Sequence, residues 1–335
     1  MRNLPCTILS LVALGAALLV AAPAAADTLL VANKGEATLA LVDLARGEVV
    51  ATLPTGAGPH EVAVSPDGAL AVVADYGGRE PGSTLTVVDV PGAKVVRTVD
   101  LGGHRRPHGV VFLDARRVAV TTEGSGSLLV VDVVAGEVAR AVETGQRVSH
   151  MVAVAPGGSR AWVANLGSGN VTVVDLAAGE KLGDVATGAG AEGVAVSPDG
   201  RWVWVTNREA DTVSLVDAGT LEKVADVPSA EFPIRAEVTP DGRWVLVSNA
   251  ESGDLTVIDA GERRVARRIE LPAGKTSAPI GIEIAPDGKR AWIAHTAADL
   301  VQVLDLETWK PTATLATGDE PDGMAYSPVT VRVTR

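Results

Sequence analysis

The chain has 335 residues, 29 basic against 41 acidic for a net charge of −12, and a single cysteine. Acidity of this size argues against nucleic acid or anionic lipid as a non-specific partner, because Lys and Arg neutralising phosphates dominate such affinity. One cysteine excludes a disulfide framework, and at position 6 it falls in a segment expected to be removed.

That segment comes first along the chain. Arg2 precedes an apolar run from Ile8 to Ala22, and Ala24-Ala25-Ala26 supplies small residues before Asp27, the pattern of a secretory signal peptide cut after Ala26. The run is shorter than the roughly 20 residues that a spanning helix needs. The expected mature chain, residues 27–335, thus lacks cysteine, belongs in the periplasm or outside the cell, and has no transmembrane segment.

From Thr28 onward one unit returns seven times: a short Val-rich strand ending in Asp, a turn, a further strand, a Gly-bearing loop, another strand, and a Pro-Asp-Gly-like turn. The strand-end aspartates are Asp43, Asp89, Asp132, Asp175, Asp217, Asp259 and Asp305, spaced 42 to 46 residues apart. Four short strands per period of this size predict an all-β, seven-bladed β-propeller with four-stranded antiparallel blades, folded as one domain. The turns Ser65-Pro66-Asp67-Gly68, Ser197-Pro198-Asp199-Gly200, Thr239-Pro240-Asp241-Gly242 and Ala285-Pro286-Asp287-Gly288 are structural, with Pro presetting φ and Gly accepting positive φ. The strand-end aspartates are expected to bind turn amides. Trp162, Trp204 and Trp292 share one strand slot, Trp202 and Trp244 another, and both sets read as packing between blades.

The first unit has no inner strand. The chain opens on second, third and fourth strands over 28–33, 38–43 and 48–53, and the missing inner strand is supplied by 322–327 at the C-terminus. The first blade is therefore predicted to close from both chain ends, which removes exposed edges.

The repeat, with Val203-Trp204-Val205-Thr206-Asn207 ahead of Val213-Ser214-Leu215-Val216-Asp217, resembles the bacterial YVTN-type seven-bladed propeller repeats over the whole mature chain. The resemblance implies the fold. It is similar to repeats of surface-layer proteins, lactonase-like proteins and haem-binding propellers of nitrite reductase type, so the fold by itself assigns no activity.

Strand direction places the loops that enter the inner strands, and those joining second to third strands, on one face, called the top. These loops vary, and variable loops on a rigid scaffold are where function concentrates. At the top of each inner strand one slot reads, in blade order, Asp322, His60, His108, His150, Glu192, Ile234 and Ile280. Three of the chain's five histidines share it; His295 ends a second strand on the same face and His104 precedes His108. Ring-capping of loop carbonyls would account for these imidazoles. Convergence at the channel mouth would instead make a ligand site of His60, His108, His150, Glu192, Arg235, His295 and Asp322, helped by Arg79, Arg105, Arg106 and Lys275 on top loops. Within it, His60, His108, His150 and Glu192 form a candidate site for a divalent transition metal, since imidazole suits Zn, Cu, Fe and Ni, with Asp75 and Asn165 expected to orient the rings.

Three residues after the slot, most blades carry small aliphatic residues, but two carry Glu237 and Glu283, and Arg235 lies two before Glu237. These are the candidate catalytic groups, because paired carboxylates act as acid and base when their environments separate their pKa values. A buried ion pair with Arg235 is the bland alternative. No Ser-His-Asp order, phosphate loop or local metal motif is present. The sequence therefore favours a monomeric propeller that binds a small molecule, metal or protein at its top face. An enzyme, lactonase-like hydrolase or metal- or haem-dependent oxidoreductase, is the alternative, and a surface-layer or interaction scaffold stands third because a scaffold has no need to gather histidines on one face.

Overall fold

The computed structural model describes residues 27–332, so the expected signal peptide lies outside the described residues. Seven four-stranded antiparallel sheets are arranged as blades. Blade 1 combines Thr28–Asn33, Thr38–Asp43 and Glu48–Pro54 with an inner strand, Pro321–Ser327, from the other end of the chain. The inner strands of blades 2 to 7 are Pro59–Val64, Pro107–Phe112, Ser149–Val154, Ala191–Val196, Pro233–Val238 and Pro279–Ile284. Closure follows the predicted pairing of 322–327 with 28–33, with Thr28 opposite Ser327, Leu30 opposite Ala325 and Val31 opposite Met324. The Thr28 hydroxyl adds a bond to the Val329 carbonyl at 2.7 Å.

Second and third strands are apolar along nearly their whole length, because they are covered on both faces by neighbouring blades, as strands buried on two sides require. The cores lie between blades: Trp162 packs with Val203 and Val205 of the next blade, Trp204 with Val245 and Val247, and Trp292 with Leu29 and Val31 across the closure. The inter-blade role read from the Trp slots is thus observed. Trp202 and Trp244 sit nearer the surface under arginines, with Arg201 and Arg243 guanidinium carbons 4.7 and 4.6 Å from their ring centroids.

Six of the seven strand-end aspartates cap the following turn as expected, for example Asp217 accepting from Gly219 and Thr220 N–H groups at 2.9 and 3.0 Å. Asp89 differs because the residue two places on is Pro91, which has no N–H to donate.

One irregularity positions the site. Every inner strand shifts register against its second strand at the slot and the residue after it, as between Pro59 and Val62 in blade 2. A bulge of this kind breaks the alternation of faces, so consecutive residues such as Ile234 and Arg235 both line the same cavity. The bulge amide is satisfied by a hydroxyl that also fastens the next blade: Thr206 Oγ1 accepts from Gly193 N–H at 2.7 Å and donates to the Ile234 carbonyl at 2.8 Å. Ser248 joins Arg235 N–H to the Ile280 carbonyl in the same way.

Candidate functional site

The channel is divided in two. Its upper part is a cavity of about 270 Å³ lined by Lys34, His60, Tyr76, His108, Glu123, His150, Leu166, Glu192, Arg208, Ile234, Arg235, Ile280 and Asp322. All seven slot residues are among them, so the slot histidines, Glu192 and Asp322 converge on one space, as does Arg235. His295 does not line it. Its ring is buried, with Nδ1 2.8 Å from Ser277 Oγ, and burial pushes its pKa down to about 4. Arg79, Arg105 and Arg106 are also absent from the lining; Arg106 lies over the Tyr76 ring, 4.8 Å from its centroid. The side chain of Lys275 lies outside the described residues.

Aromatic rings form a file across one side of the cavity. Tyr76 stacks on His60 with centroids 4.2 Å apart, His60 meets His108 edge-on at 5.0 Å, and His108 lies 3.8 Å from His150. His60 Nδ1 is held 2.9 Å from the Gly58 carbonyl. His150 sits between two carboxylates, with Nδ1 2.5 Å from Glu123 Oε1 and Nε2 3.3 Å from Glu192 Oε1. Burial alone would lower His150, but Glu192 and Glu123 override it and hold the ring up at about 9. His108 moves the opposite way, well below the ordinary value, because it is buried and next to His150 and His60. The two touching imidazoles are thus shifted in opposite directions.

The expected ring-orienting residues are others. Asp75 is engaged by Gly56 N–H, Thr84 and Thr86, and Asn165 by Ser149, Asn170 and Thr172. They tie the second strand to its neighbours instead of reaching the histidines. The groups that orient the rings are Gly58, Glu123 and Glu192, and Glu123 is itself fixed by the Tyr76 hydroxyl, which donates to Oε2 at 2.6 Å.

Glu123 is the principal residue that the slot comparison missed. It belongs to a second repeated position, at the top end of the second strand, which reads Lys34, Tyr76, Glu123, Leu166, Arg208, Ala250 and Thr296 in blade order; in blade 2 the strand runs on to Gly77, and in the other blades this residue is the first past it. Five of the seven line the cavity. The signal was available in the same alignment of the chain with itself. Arg208 from this position pairs with Glu192 at 2.8 Å, and Lys34 approaches Asp322 at 3.6 Å.

Below lies a second cavity of about 400 Å³ that contains Glu61, Glu237 and Glu283 among Val, Ala and Gly residues. Arg235 lines both cavities and forms a buried ion pair with Glu61 from the opposite side of the ring. Arg235 is thus in a buried ion pair, but with Glu61, one residue past the slot, and not with Glu237 or Glu283 as the alternative reading has it. Burial raises Glu237 to about 7 and Glu283 to about 8, Arg235 opposing the first shift and Glu237 adding to the second. Glu283 Oε1 accepts from Tyr326 N–H at 3.0 Å. The two candidate acid–base carboxyls thus line the lower channel, apart from the histidines.

A larger cavity, about 540 Å³, opens at the rim near Asp211, Glu231, Asp254, Arg268 and Glu270. It gathers no histidine. The upper cavity is the better candidate because its polar atoms are buried, convergent and incompletely paired: His108 Nδ1, Arg208 Nε and Arg235 Nη1 have no hydrogen-bond partner in the protein.

A family model described as a YNCE-like β-propeller matches residues 11–118 and 115–282. No curated protein matches the sequence. Among solved structures, the chain is similar to the Pseudomonas aeruginosa periplasmic gluconolactonase PpgL, with 20% identity, a TM-score of 0.75, and coverage of 90% of this chain and 99% of that one. It is also similar to Kuenenia stuttgartiensis hydrazine synthase, with 22% identity, a TM-score of 0.71, and coverage of 81% and 90%. The dihydro-heme d1 dehydrogenase NirN in complex with DHE follows at 15% identity and a TM-score of 0.62, covering 91% and 78%. Identities at this level speak for the shared fold.

Proposed function

Since the chain belongs to the YNCE-like β-propeller family, a fold that hosts unrelated chemistries, its function has to be read from its site, and we propose a small-ligand-binding propeller. The occupant of the upper cavity is a metal ion or a small, oxygen-rich molecule. The observation that carries this reading is the set of buried, unpartnered polar atoms on His108, Arg208 and Arg235 around one cavity. Leaving such atoms unpaired costs about 1–3 kcal/mol each, a cost that a ligand supplying acceptors or charge would offset. At about 270 Å³ the space is below the usual range of about 300–1,000 Å³ for drug-sized ligands. It suits a small acid or an ion and not a macrocycle.

An exported compartment for this binding is supported by the signal-like first 26 residues and by the periplasmic gluconolactonase among the similar structures. Among the described residues no helix is long and apolar enough to cross a membrane. The carboxyls of the lower channel share a cavity with Arg235 but not with His108 or Arg208, so they stand outside this reading.

Native mass spectrometry of the protein purified from its own host without chelator tests the proposal. The expected result is a mass above that of the polypeptide, reduced to the bare chain in the double variant Arg208→Gln/His108→Gln. A bare native mass for the wild type, with no shift in thermal midpoint on adding divalent metals or small carboxylic acids, would overturn it.

A further inference from the structure

The upper cavity contains a tighter cluster than its overall polarity suggests. One donor atom from each of His108, Glu123 and His150 lies within 4.8 Å of the other two. These residues come from three different elements: the inner strand of blade 3, the residue just past its second strand, and the inner strand of blade 4. Sequence spacing alone does not bring them together; the closed ring does. Glu123 is anchored by Tyr76 and Glu192 by Arg208, so both carboxylates are held in place from outside the cluster. An independent observation points to an occupant: His108 is 5% exposed, and its Nδ1 has no partner in the protein.

We infer that His108, Glu123 and His150 bind one divalent transition metal ion, with Glu192 as the nearest further carboxylate. The inference rests on the reading of the upper cavity as a ligand site and names its occupant. Nitrogen and oxygen donors of this mixture suit Zn²⁺, Cu²⁺, Ni²⁺ or Fe²⁺. Around tetrahedral zinc, ligands at about 2.0–2.1 Å from the metal stand about 3.4 Å from one another, so the donors, now within 4.8 Å of one another, would draw together on binding. The two carboxylates that now flank the His150 ring provide the negative charge that a dication requires, and orientation of ligands by hydrogen-bonded carboxylates and phenols is common in metal sites. The set differs from the four residues expected from the slot alone. His60 is left out because it does not belong to the group of donor atoms lying within 4.8 Å of one another, and Glu123 enters.

Chelator-stripped full-length mature protein is titrated with ZnCl₂ by calorimetry, and with Co²⁺ by visible absorption. One ion per chain is expected, with cobalt d–d bands. Glu123→Gln, nearly isosteric, and His108→Ala are each expected to weaken zinc binding at least tenfold, while Glu237→Gln in the lower channel leaves it unchanged. His60→Ala is expected to stay within threefold; a loss as large as that of His108→Ala would overturn the trio in favour of the slot residues. Absence of zinc binding and of cobalt bands overturns the metal inference. If an organic adduct sensitive to Arg208→Gln persists in that case, the small-ligand reading survives alone; if no adduct of any kind is found, both fall. Metal binding unaffected by Glu123→Gln and His108→Ala would place the ion elsewhere and also refute the inference.

Discussion

Glu283 illustrates how one repeated position acquires chemistry. In five blades the place three residues after the slot holds a small or aliphatic side chain, whereas Glu237 and Glu283 put carboxyls into the lower channel, where burial raises them to about 7 and about 8 from an ordinary 4.5. A carboxyl whose folded pKa is raised favours folding while it is protonated in both states, below about pH 4.5. The unfolded chain then ionises more readily as pH rises, and that contribution is lost on the way to pH 8. Glu283→Gln keeps the acceptor for Tyr326 N–H and removes the ionisation. Its stability should therefore exceed that of the wild type by a margin that grows from pH 5 to pH 9, reaching on the order of 2 kcal/mol or more, since one pKa unit corresponds to about 1.4 kcal/mol. Urea denaturation at a series of pH values reads this directly; parallel curves for the two proteins would show that Glu283 ionises freely in the native state.

Among the elements, the inner strands are the most constrained. The residue after the slot is Gly323, Glu61, Gly109, Met151, Gly193, Arg235 and Gly281 in blade order. A Cβ at Gly193 would lie 2.4 Å from the Ile234 carbonyl oxygen, and at Gly281 it would lie 2.1 Å from that of Asp322. At the four glycine blades successive inner strands approach backbone to backbone at the bulge, leaving no room for a Cβ, while Glu61, Met151 and Arg235 fill the position in the other three. Glu61 and Arg235 are the two charged exceptions, and they are partners. Gly193→Ala should thus destabilise by about 2 kcal/mol or more, in the range of an overpacked core. Gly78→Ala, at a position where an added Cβ meets nothing within 4 Å, should stay within about 0.5 kcal/mol of the wild type. Equal midpoints for the two variants in denaturant would contradict the close-approach argument.

At the scale of the molecule, closure makes seven units one body. Met324 packs into the cluster with Leu29, Val31 and Trp292, and Ala325 into the one with Leu30, Val62 and Val73. The last strand therefore joins blade 7 to blade 1 and blade 1 to blade 2. Removing residues 320–335 takes away the inner strand of one blade and two inter-blade contacts together, and leaves a paired edge open. The expected loss is comparable with the whole stability of a domain, about 5–15 kcal/mol. Calorimetry should show the cooperative transition of the full chain replaced by a broad one or by none; a truncated protein that melts cooperatively near the same temperature would mean that the ring does not depend on its closing strand.

What the sequence determined by itself was whatever repeats. A 42-to-46-residue period, turn residues tied to particular φ values and a missing first inner strand specify seven blades and the closure, because each is a local rule applied many times. The convergence of His60, His108, His150, Glu192 and Asp322 was legible for the same reason: equivalent positions in a ring face the same axis. Glu123 was equally readable from the position past the second strand, but its importance depends on which blade stands beside it. Tertiary structure alone decided the partners. Glu61 meets Arg235 across 174 residues, Glu123 reaches the ring of His150 in the next blade, and His295, on the same face, turns instead into the wall toward Ser277. Periodicity fixes the angle and height at which a residue stands around the axis. Which side chains touch across it depends on their lengths, the bulge that redirects them and the competition among carboxylates for one imidazole, none of which a repeat encodes.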